Sequence, residues 1–187
     1  DTEGTLSDWQ DAADWDMGDD VPFKLEGTVA SNYASYKTYY FAFHDVEERG
    51  LTFNKDSVKV YVDNTAITSG YEVVTEGLTD GCTFEVKFAD LKQISAVKAG
   101  SKIRVEYTSK LNENAVIGEQ GNVNKAKLQY SNNPNDEQGG ENGPTGKTPW
   151  DNVIVFTYKT VINKVDDKNQ PLKGAEFTLS KTMKNGT

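Results

Sequence analysis

An all-β sandwich of immunoglobulin type is the fold this chain of 187 residues specifies. Three observations predict it. Apolar and polar residues alternate with a period of two in run after run, turn-forming residues separate the runs, and no helical pattern alternates with them. Val21-Pro-Phe23-Lys-Leu25 is the first run, followed by Tyr39-Tyr-Phe41-Ala-Phe43 and Val58-Lys-Val60-Tyr-Val62. Phe84-Glu-Val86-Lys-Phe88, Ile103-Arg-Val105-Glu-Tyr107 and Ala126-Lys-Leu128-Gln-Tyr130 repeat the pattern, and Val153 to Tyr158 is a longer apolar run. Gly18-Asp19-Asp20, Glu48-Arg49-Gly50, Asp63-Asn64, Ser69-Gly70, Asp80-Gly81 and Gly100-Ser101 lie between them as turns. Only Asp90 to Val97 has a helical flavour, a turn or two at most. Strands at this spacing, without intervening helices, suit two packed antiparallel sheets and not a doubly wound parallel one.

Composition narrows the function. The formal net charge is -9, from 20 Lys and Arg against 29 Asp and Glu. That balance disfavours nucleic acid and anionic membrane surfaces as partners. No apolar run approaches the length of a membrane span, and no signal-peptide pattern opens the chain. Cys82 is the single cysteine, so no internal disulfide forms. It reads as a half-buried small residue that follows the Thr79-Asp80-Gly81 turn. One His and one Cys allow a nucleophile–base pair on paper, but neither has a triad signature around it.

Two segments read as loops: the acidic residues 1–20, with Trp9 and Trp15 folding back onto the sandwich, and residues 131–148, rich in Asn, Gly and Pro. Asp136, Glu137 and Glu141 lack the spacing of a calcium loop, and neither a metal site nor a cofactor is expected. Tyr33, Tyr36, Tyr39 and Tyr40 form an aromatic set; Tyr39 reads as core and the others as edge or loop aromatics that would suit a glycan surface. Trp150 packs the strand after it. His44 alternates to the face opposite Asp45 and is expected at an exposed strand end.

Strand phase decides which polar side chains enter the core. Tyr39, Phe41 and Phe43 share a face, and the next step of two reaches Asp45. Ala126, Leu128 and Tyr130 share a face, and stepping back reaches Asn124 and then Asn122. A carboxylate and an amide are therefore expected inside, where they are costly unless paired, neutralised or hydrogen-bonded. Ordinary strand-end roles, with Asp45 accepting turn amides before Glu47 and Asn124 doing likewise after Gly121, satisfy the same pattern.

The last 27 residues, VINKVDDKNQPLKGAEFTLSKTMKNGT, read as two short strands, Val161 to Val165 and Ala175 to Leu179, joined by a polar turn. Two strands cannot bury a core. The expected organisation is a sandwich over 1–160 and, over 161–187, the first hairpin of a truncated second β module.

The patterns Lys164-Val165-Asp166 and Pro171-Leu172-Lys173-Gly174-Ala175-Glu176-Phe177-Thr178-Leu179 resemble the start of a Cna-B-type module of Gram-positive surface proteins. DDVPFKLEGTV, YYFAFHDVEERGLTFNKDSVKVYVD, KIRVEYTSKLNENAVIGEQGNVNKAKLQYSNNP and TPWDNVIVFTYKTVINKVD, in that order, resemble the central Cna-A-like domain of a sortase-assembled Gram-positive backbone (major) pilin. The resemblance implies a structural shaft segment of a covalent pilus on the cell wall, joined by sortase to other pilin subunits and stabilised by intramolecular Lys–Asn isopeptide bonds. It implies Asp45 as the acid that assists bond formation and Asn124 as the linked amide, with Asn122 as runner-up. The reactive lysine is expected upstream of Asp1, because Lys24 points outward between Phe23 and Leu25. Lys164 matches the reactive lysine of the second, incomplete module. Such chemistry is a single-turnover self-crosslink, so the chain is not expected to be an enzyme in the usual sense. The alternative reading is a surface adhesin that binds host protein or glycan through its loops or Tyr-rich strand.

Overall fold

The computed structural model of the chain describes residues 9–78, 80–137 and 139–159, with Val165, Lys168 and Gln170. Eleven strands form among the described residues: β1 Ala12–Asp14, β2 Asp20–Thr28, β3 Phe41–Glu47, β4 Leu51–Val62, β5 Thr65–Ile67, β6 Glu72–Val74, β7 Phe84–Phe88, β8 Lys102–Leu111, β9 Asn122–Ser131, β10 Thr145–Lys147 and β11 Asp151–Phe156. Two single 3₁₀ turns, Tyr33–Ser35 and Leu91–Gln93, are the helical content. The helical flavour of Asp90 to Val97 thus amounts to one turn. Asp90 caps it, its side chain accepting from the Lys92 amide at 2.9 Å.

Two sheets face each other. The larger has the order β1-β11-β9-β3-β7-β6, with β10 added beside β9, and the smaller is β2-β8-β4-β5. All pairings are antiparallel except β1 with β11, which is parallel. Every alternating run of the sequence contributes to a strand, although β3 begins only at Phe41 and leaves Tyr39 and Tyr40 ahead of it. Each inner face carries the expected phase: Phe41 and Phe43 from β3, Phe84, Val86 and Phe88 from β7, Ile103, Val105 and Tyr107 from β8, and Val21 and Phe23 from β2 are all buried. The rings of Phe53 and Phe84 stack across the sandwich at 3.7 Å, and Phe53 and Phe84 also flank Tyr107 edge-on.

The departures are local. Part of the N-terminal acidic segment is a strand: Trp15 donates its amide to the Phe156 carbonyl at 2.9 Å and continues the β1–β11 pairing. Within the 131–148 loop, Thr145–Lys147 forms β10 against β9. β4 begins at Leu51, ahead of the Val58–Val62 run, because its register against β8 shifts between Asn54 and Lys59 and the irregularity breaks the alternation. The hairpin expected over 161–187 lies outside the described residues apart from Val165, Lys168 and Gln170.

A close approach fixes the turn between β3 and β4. A Cβ on Gly50 would lie 2.7 Å from the Ala115 Cα and against the Asn122 side-chain oxygen. Asn122 is committed there, accepting from the Val116 amide at 2.8 Å and donating to the Val116 carbonyl at 3.1 Å. Gly50→Ala is therefore expected to lower stability by about 2 kcal/mol, since backbone or a hydrogen-bonded amide must move; urea denaturation measures it, and an unchanged midpoint would refute the packing described.

Candidate functional site

The centre of the sandwich holds three polar side chains. Asp45 lies on β3 and Asn124 on β9; the register pairs Asp45 with Ala126 and Glu47 with Asn124, so Asp45 and Asn124 are diagonal neighbours on the inner face. Tyr107 comes from β8 of the opposite sheet. Its hydroxyl donates to Asp45 Oδ2 at 2.7 Å and accepts from Asn124 Nδ2 at 2.6 Å; the same amide nitrogen reaches Asp45 Oδ2 at 3.3 Å. Asp45 is 0% exposed and Asn124 3%. Phe23 stacks on Tyr107 at 5.3 Å, and Phe84 and Phe53 close its edges.

This shell removes water without replacing all of its hydrogen bonds. Asp45 Oδ1 and Asn124 Oδ1 are buried and have no partner. Burial pushes the Asp45 carboxyl well above the ordinary carboxylate range; the hydrogen bond from Tyr107 pulls it back, the nearby Glu47 charge adds to the rise, and the Asn124 bond opposes it. Asp45 is thus favoured as a neutral acid. Glu47, next inward on β3, is raised to about 7 by burial, although the Ser109 hydroxyl donates to its Oε1. Burial and the adjacent Asp45 likewise raise the Tyr107 phenol. Three acids at one spot therefore resist ionisation, and an amide carbonyl carbon is held beside the most buried of them.

The structure separates the two asparagines. Asn122 is also fully buried, but its oxygen and nitrogen are both used by the Val116 backbone, with the Val155 carbonyl 3.3 Å from the nitrogen. Only Asn124 meets Asp45. Lys24 is in register with Glu106 on the outer face of the smaller sheet, its ammonium 5.2 Å from the centroid of the Trp9 ring. Trp9 itself remains about half exposed. Among the described residues no lysine forms a hydrogen bond or ion pair with Asp45 or Asn124. Lys164 lies outside the described residues.

The family follows from comparison. The model of the family described as Gram-positive pilin backbone subunit 2, Cna-B-like domain, matches residues 17–134, which include Asp45, Tyr107 and Asn124. The chain belongs to this Gram-positive pilin backbone family. It is 32% identical over 165 residues to the trypsin-resistant surface T6 protein of Streptococcus pyogenes serotype M6, covering 82% of this chain and 28% of that protein. The pilus backbone RrgB of Streptococcus pneumoniae is similar in structure, with 25% identity and a TM-score of 0.52 over 66% of this chain and 45% of that one. The 35 kDa C-terminal fragment of the major pilin GBS80 of Streptococcus agalactiae superposes with a TM-score of 0.64 at 21% identity, covering 87% of this chain and 57% of that fragment, a likeness of fold. The chain therefore spans between about a quarter and three fifths of the relatives it matches. Its fold is the immunoglobulin-like sandwich of pilin domains, and no helix among the described residues is long and apolar enough to cross a membrane.

Two expectations about this pilin chain are corrected. His44 does alternate away from Asp45, but it is 4% exposed, because the outer face of β3 is covered. The Asp80–Cys82 turn and the 131–148 segment fold over it, the latter through β10 and an ion pair between Glu141 and Lys87 at 2.8 Å. Tyr33, Tyr36, Tyr39 and Tyr40 are all buried, at 8% exposure or less, and Tyr33 and Tyr36 pack edge-on against Tyr39. They build core and offer no exposed platform for a glycan. Trp150 covers Lys125 and Lys127, whose ammonium groups lie 5.1 and 4.3 Å from its ring centroid. Of the loop acids, Glu137 pairs with Lys37 and Glu141 with Lys87, while Asp136 accepts from the Gly139 amide.

Sequence reasoning missed Tyr107 as a site residue. Its phase with Ile103 and Val105 marked it as inward-facing, and an inward hydroxyl opposite a buried acid was the available signal. It also missed the gathering of His44, Asp80, Cys82 and Glu85, since strand pairing and a turn bring them together from distant positions. Cys82 Sγ lies 3.9 Å from His44 Nδ1. Burial, then the hydrogen bond and charge of Asp80, push its thiol up to about 12, so this pair is not an activated nucleophile.

Two outcomes are expected. Tyr107→Phe removes the hydroxyl shared by Asp45 and Asn124 and is expected to cost roughly 2 kcal/mol in urea denaturation, and to raise the Asp45 pKa further in an NMR titration; a fall in that pKa would contradict the assigned bond. Glu47 has an ordinary value of 4.5 and a folded value of about 7, so the folded state holds the extra proton between them and stability falls as pH rises through that window. Glu47→Gln abolishes this loss: from pH 4.5 to 7.5 the variant is expected to gain on the parent chain by roughly 2 kcal/mol. A gain by the parent chain would refute it.

Proposed function

We propose that this domain is a shaft segment of a covalent Gram-positive pilus and that Asp45 and Asn124 are the assisting acid and linked amide of an intramolecular Lys–Asn isopeptide bond. The observation that carries the reading is the buried pair itself. Two unpaired oxygens, Asp45 Oδ1 and Asn124 Oδ1, sit in an aromatic shell on neighbouring strands, where burial pushes the Asp45 carboxyl well above the ordinary range. The chemistry requires a neutral lysine amine, which burial favours by lowering the ammonium pKa. The amine nitrogen attacks Asn124 Cγ and a new C–Nζ bond forms. Asp45 donates a proton toward the amide, the C–Nδ2 bond breaks, ammonia leaves, and a proton from the attacking nitrogen returns to Asp45. Tyr107 positions both groups by its two hydrogen bonds. The amine is supplied by a lysine of the same polypeptide outside the described residues, in keeping with a reactive lysine upstream of Asp1.

The reaction turns over once and leaves a crosslink, so the domain is structural and not an enzyme. Polymerisation with other pilin subunits through a sortase, and display on the cell wall, complete the reading. Family membership, together with the relative's character as a surface protein, supports both.

In the full-length protein, digestion and mass spectrometry are expected to find a lysine-containing peptide joined to the Asn124 peptide, about 17 Da lighter than their sum through loss of ammonia. Asp45→Ala and Asn124→Ala are each expected to abolish the joined peptide. Recovery of an unlinked Asn124 peptide from the folded parent protein would overturn the proposal.

A further inference from the structure

We propose that His44, Asp80, Cys82 and Glu85 form a binding site for a divalent transition metal, with Zn²⁺ the best match, on the covered outer face of the larger sheet. The site is independent of the Asp45–Asn124 pair, which lies on the inner face. His44 on β3 and Glu85 on β7 are register partners, and Asp80 and Cys82 come from the turn that leads into β7. His44 Nδ1 lies 2.9 Å from Glu85 Oε1, 3.0 Å from Asp80 Oδ2 and 3.9 Å from Cys82 Sγ. One atom from each of the four residues lies within 4.8 Å of the other three. A tetrahedral zinc site needs about 3.3 Å between nitrogen and oxygen ligands and about 3.6 Å between nitrogen and sulfur, from bond lengths near 2.0 and 2.3 Å. The three distances from His44 Nδ1 are within about 0.4 Å of that arrangement, and the remaining separations, at most 4.8 Å, are within about 1.5 Å of it.

The hydrogen-bond network shows why a cation belongs there. Gln129 Nε2 donates to Thr145 Oγ1 at 2.8 Å, which turns the amide oxygen toward His44 Nε2, 2.9 Å away. Nε2 of His44 is thus turned to an acceptor, and Nδ1 faces two carboxylate oxygens and a sulfur. A proton on Nδ1 points along one line and satisfies one acceptor well, whereas a four-coordinate metal satisfies all four atoms at once. Fixing the second imidazole nitrogen through an oriented acceptor is the usual support for a metal-bound histidine. The carboxylates are supported too: Lys87 Nζ holds the other Glu85 oxygen, Oε2, at 3.2 Å, and Lys127 Nζ reaches Asp80 Oδ2 at 3.3 Å.

A second observation lies alongside. Tyr40 is 1% exposed, its hydroxyl has no hydrogen-bond partner, and the charges of Glu141, Lys87, Glu85 and Asp80 all act on its phenol. Near the cluster, the Tyr40 hydroxyl is thus a buried polar atom that the protein's own hydrogen bonds leave unsatisfied. The ligand chemistry selects the metal: one thiolate and one imidazole beside two carboxylates suit Zn²⁺, or Co²⁺ as its spectroscopic substitute, over Mg²⁺ or Ca²⁺, which take oxygen ligands. On coordination the Cys82 proton passes to solvent.

Calorimetry and thermal melting of the chain with Zn²⁺, Mg²⁺ and Ca²⁺ test the site. Zn²⁺ is expected to bind with one-to-one stoichiometry and raise the melting temperature by several degrees, with no comparable response to Mg²⁺ or Ca²⁺. Titration with Co²⁺ is expected to give a thiolate charge-transfer band and the intense visible bands of a four-coordinate ion. Cys82→Ser and Asp80→Asn, both on the turn and away from the inner core, are each expected to weaken Zn²⁺ binding at least tenfold while circular dichroism is unchanged. No Zn²⁺ response, a cobalt spectrum without the thiolate band, or binding that survives both substitutions unaltered would overturn the proposal.

Discussion

The structure turns on the burial of a carboxyl, an amide and a phenol at the mid-plane of two β-sheets. A sandwich of this size has ample apolar residues to fill its interior, so polar groups there are a burden to folding unless they serve each other. Tyr107 makes the arrangement tenable by bridging the sheets: its ring packs with Phe23, Phe53 and Phe84 from both layers, and its hydroxyl links Asp45 to Asn124. The same packing that excludes water pushes the Asp45 carboxyl well above the ordinary carboxylate range. Packing and the ionisation of these groups are therefore set by one environment.

The outer face of the larger sheet repeats the theme with different chemistry. Alternation sends His44, Glu85, Lys87, Lys127 and Gln129 to the side away from the core, where a plain sandwich would be wet. The 131–148 segment and the Asp80–Cys82 turn fold over that side and bury charged groups between them. The domain thus has two polar interiors, one between its sheets and one beneath its loops, separated by the thickness of a single strand layer.

Strand phase and the inward course of Asp45, Asn122 and Asn124 were legible in the sequence because a period of two leaves little freedom once a neighbouring Phe or Leu is assigned to the core; the three-residue strands β1, β5, β6 and β10 were not, since three residues are too few to show a period. The choice between Asn124 and Asn122 was not fixed by phase. Both point inward, and they differ in which loop comes back to meet them, a matter of how residues 112–118 return past Gly50. Phase also gave His44 its correct side and the wrong environment, since alternation reports which face a residue occupies and is silent on what later covers that face. The tyrosines illustrate a related limit: Tyr33 and Tyr36 lie in no strand, so no period governs them, and their burial follows from a 3₁₀ turn that tucks them against Tyr39.

The parallel pairing of β1 with β11 has a mechanical consequence. Because both strands run the same way, the chain enters the ladder at one end of the sandwich and leaves it at the other. A pull that separates the two ends drives the strands past each other lengthwise, loading their hydrogen bonds together in shear, where an antiparallel closing pair would peel apart one bond at a time. That geometry lets even a three-residue strand act as a clasp for a body held under tension.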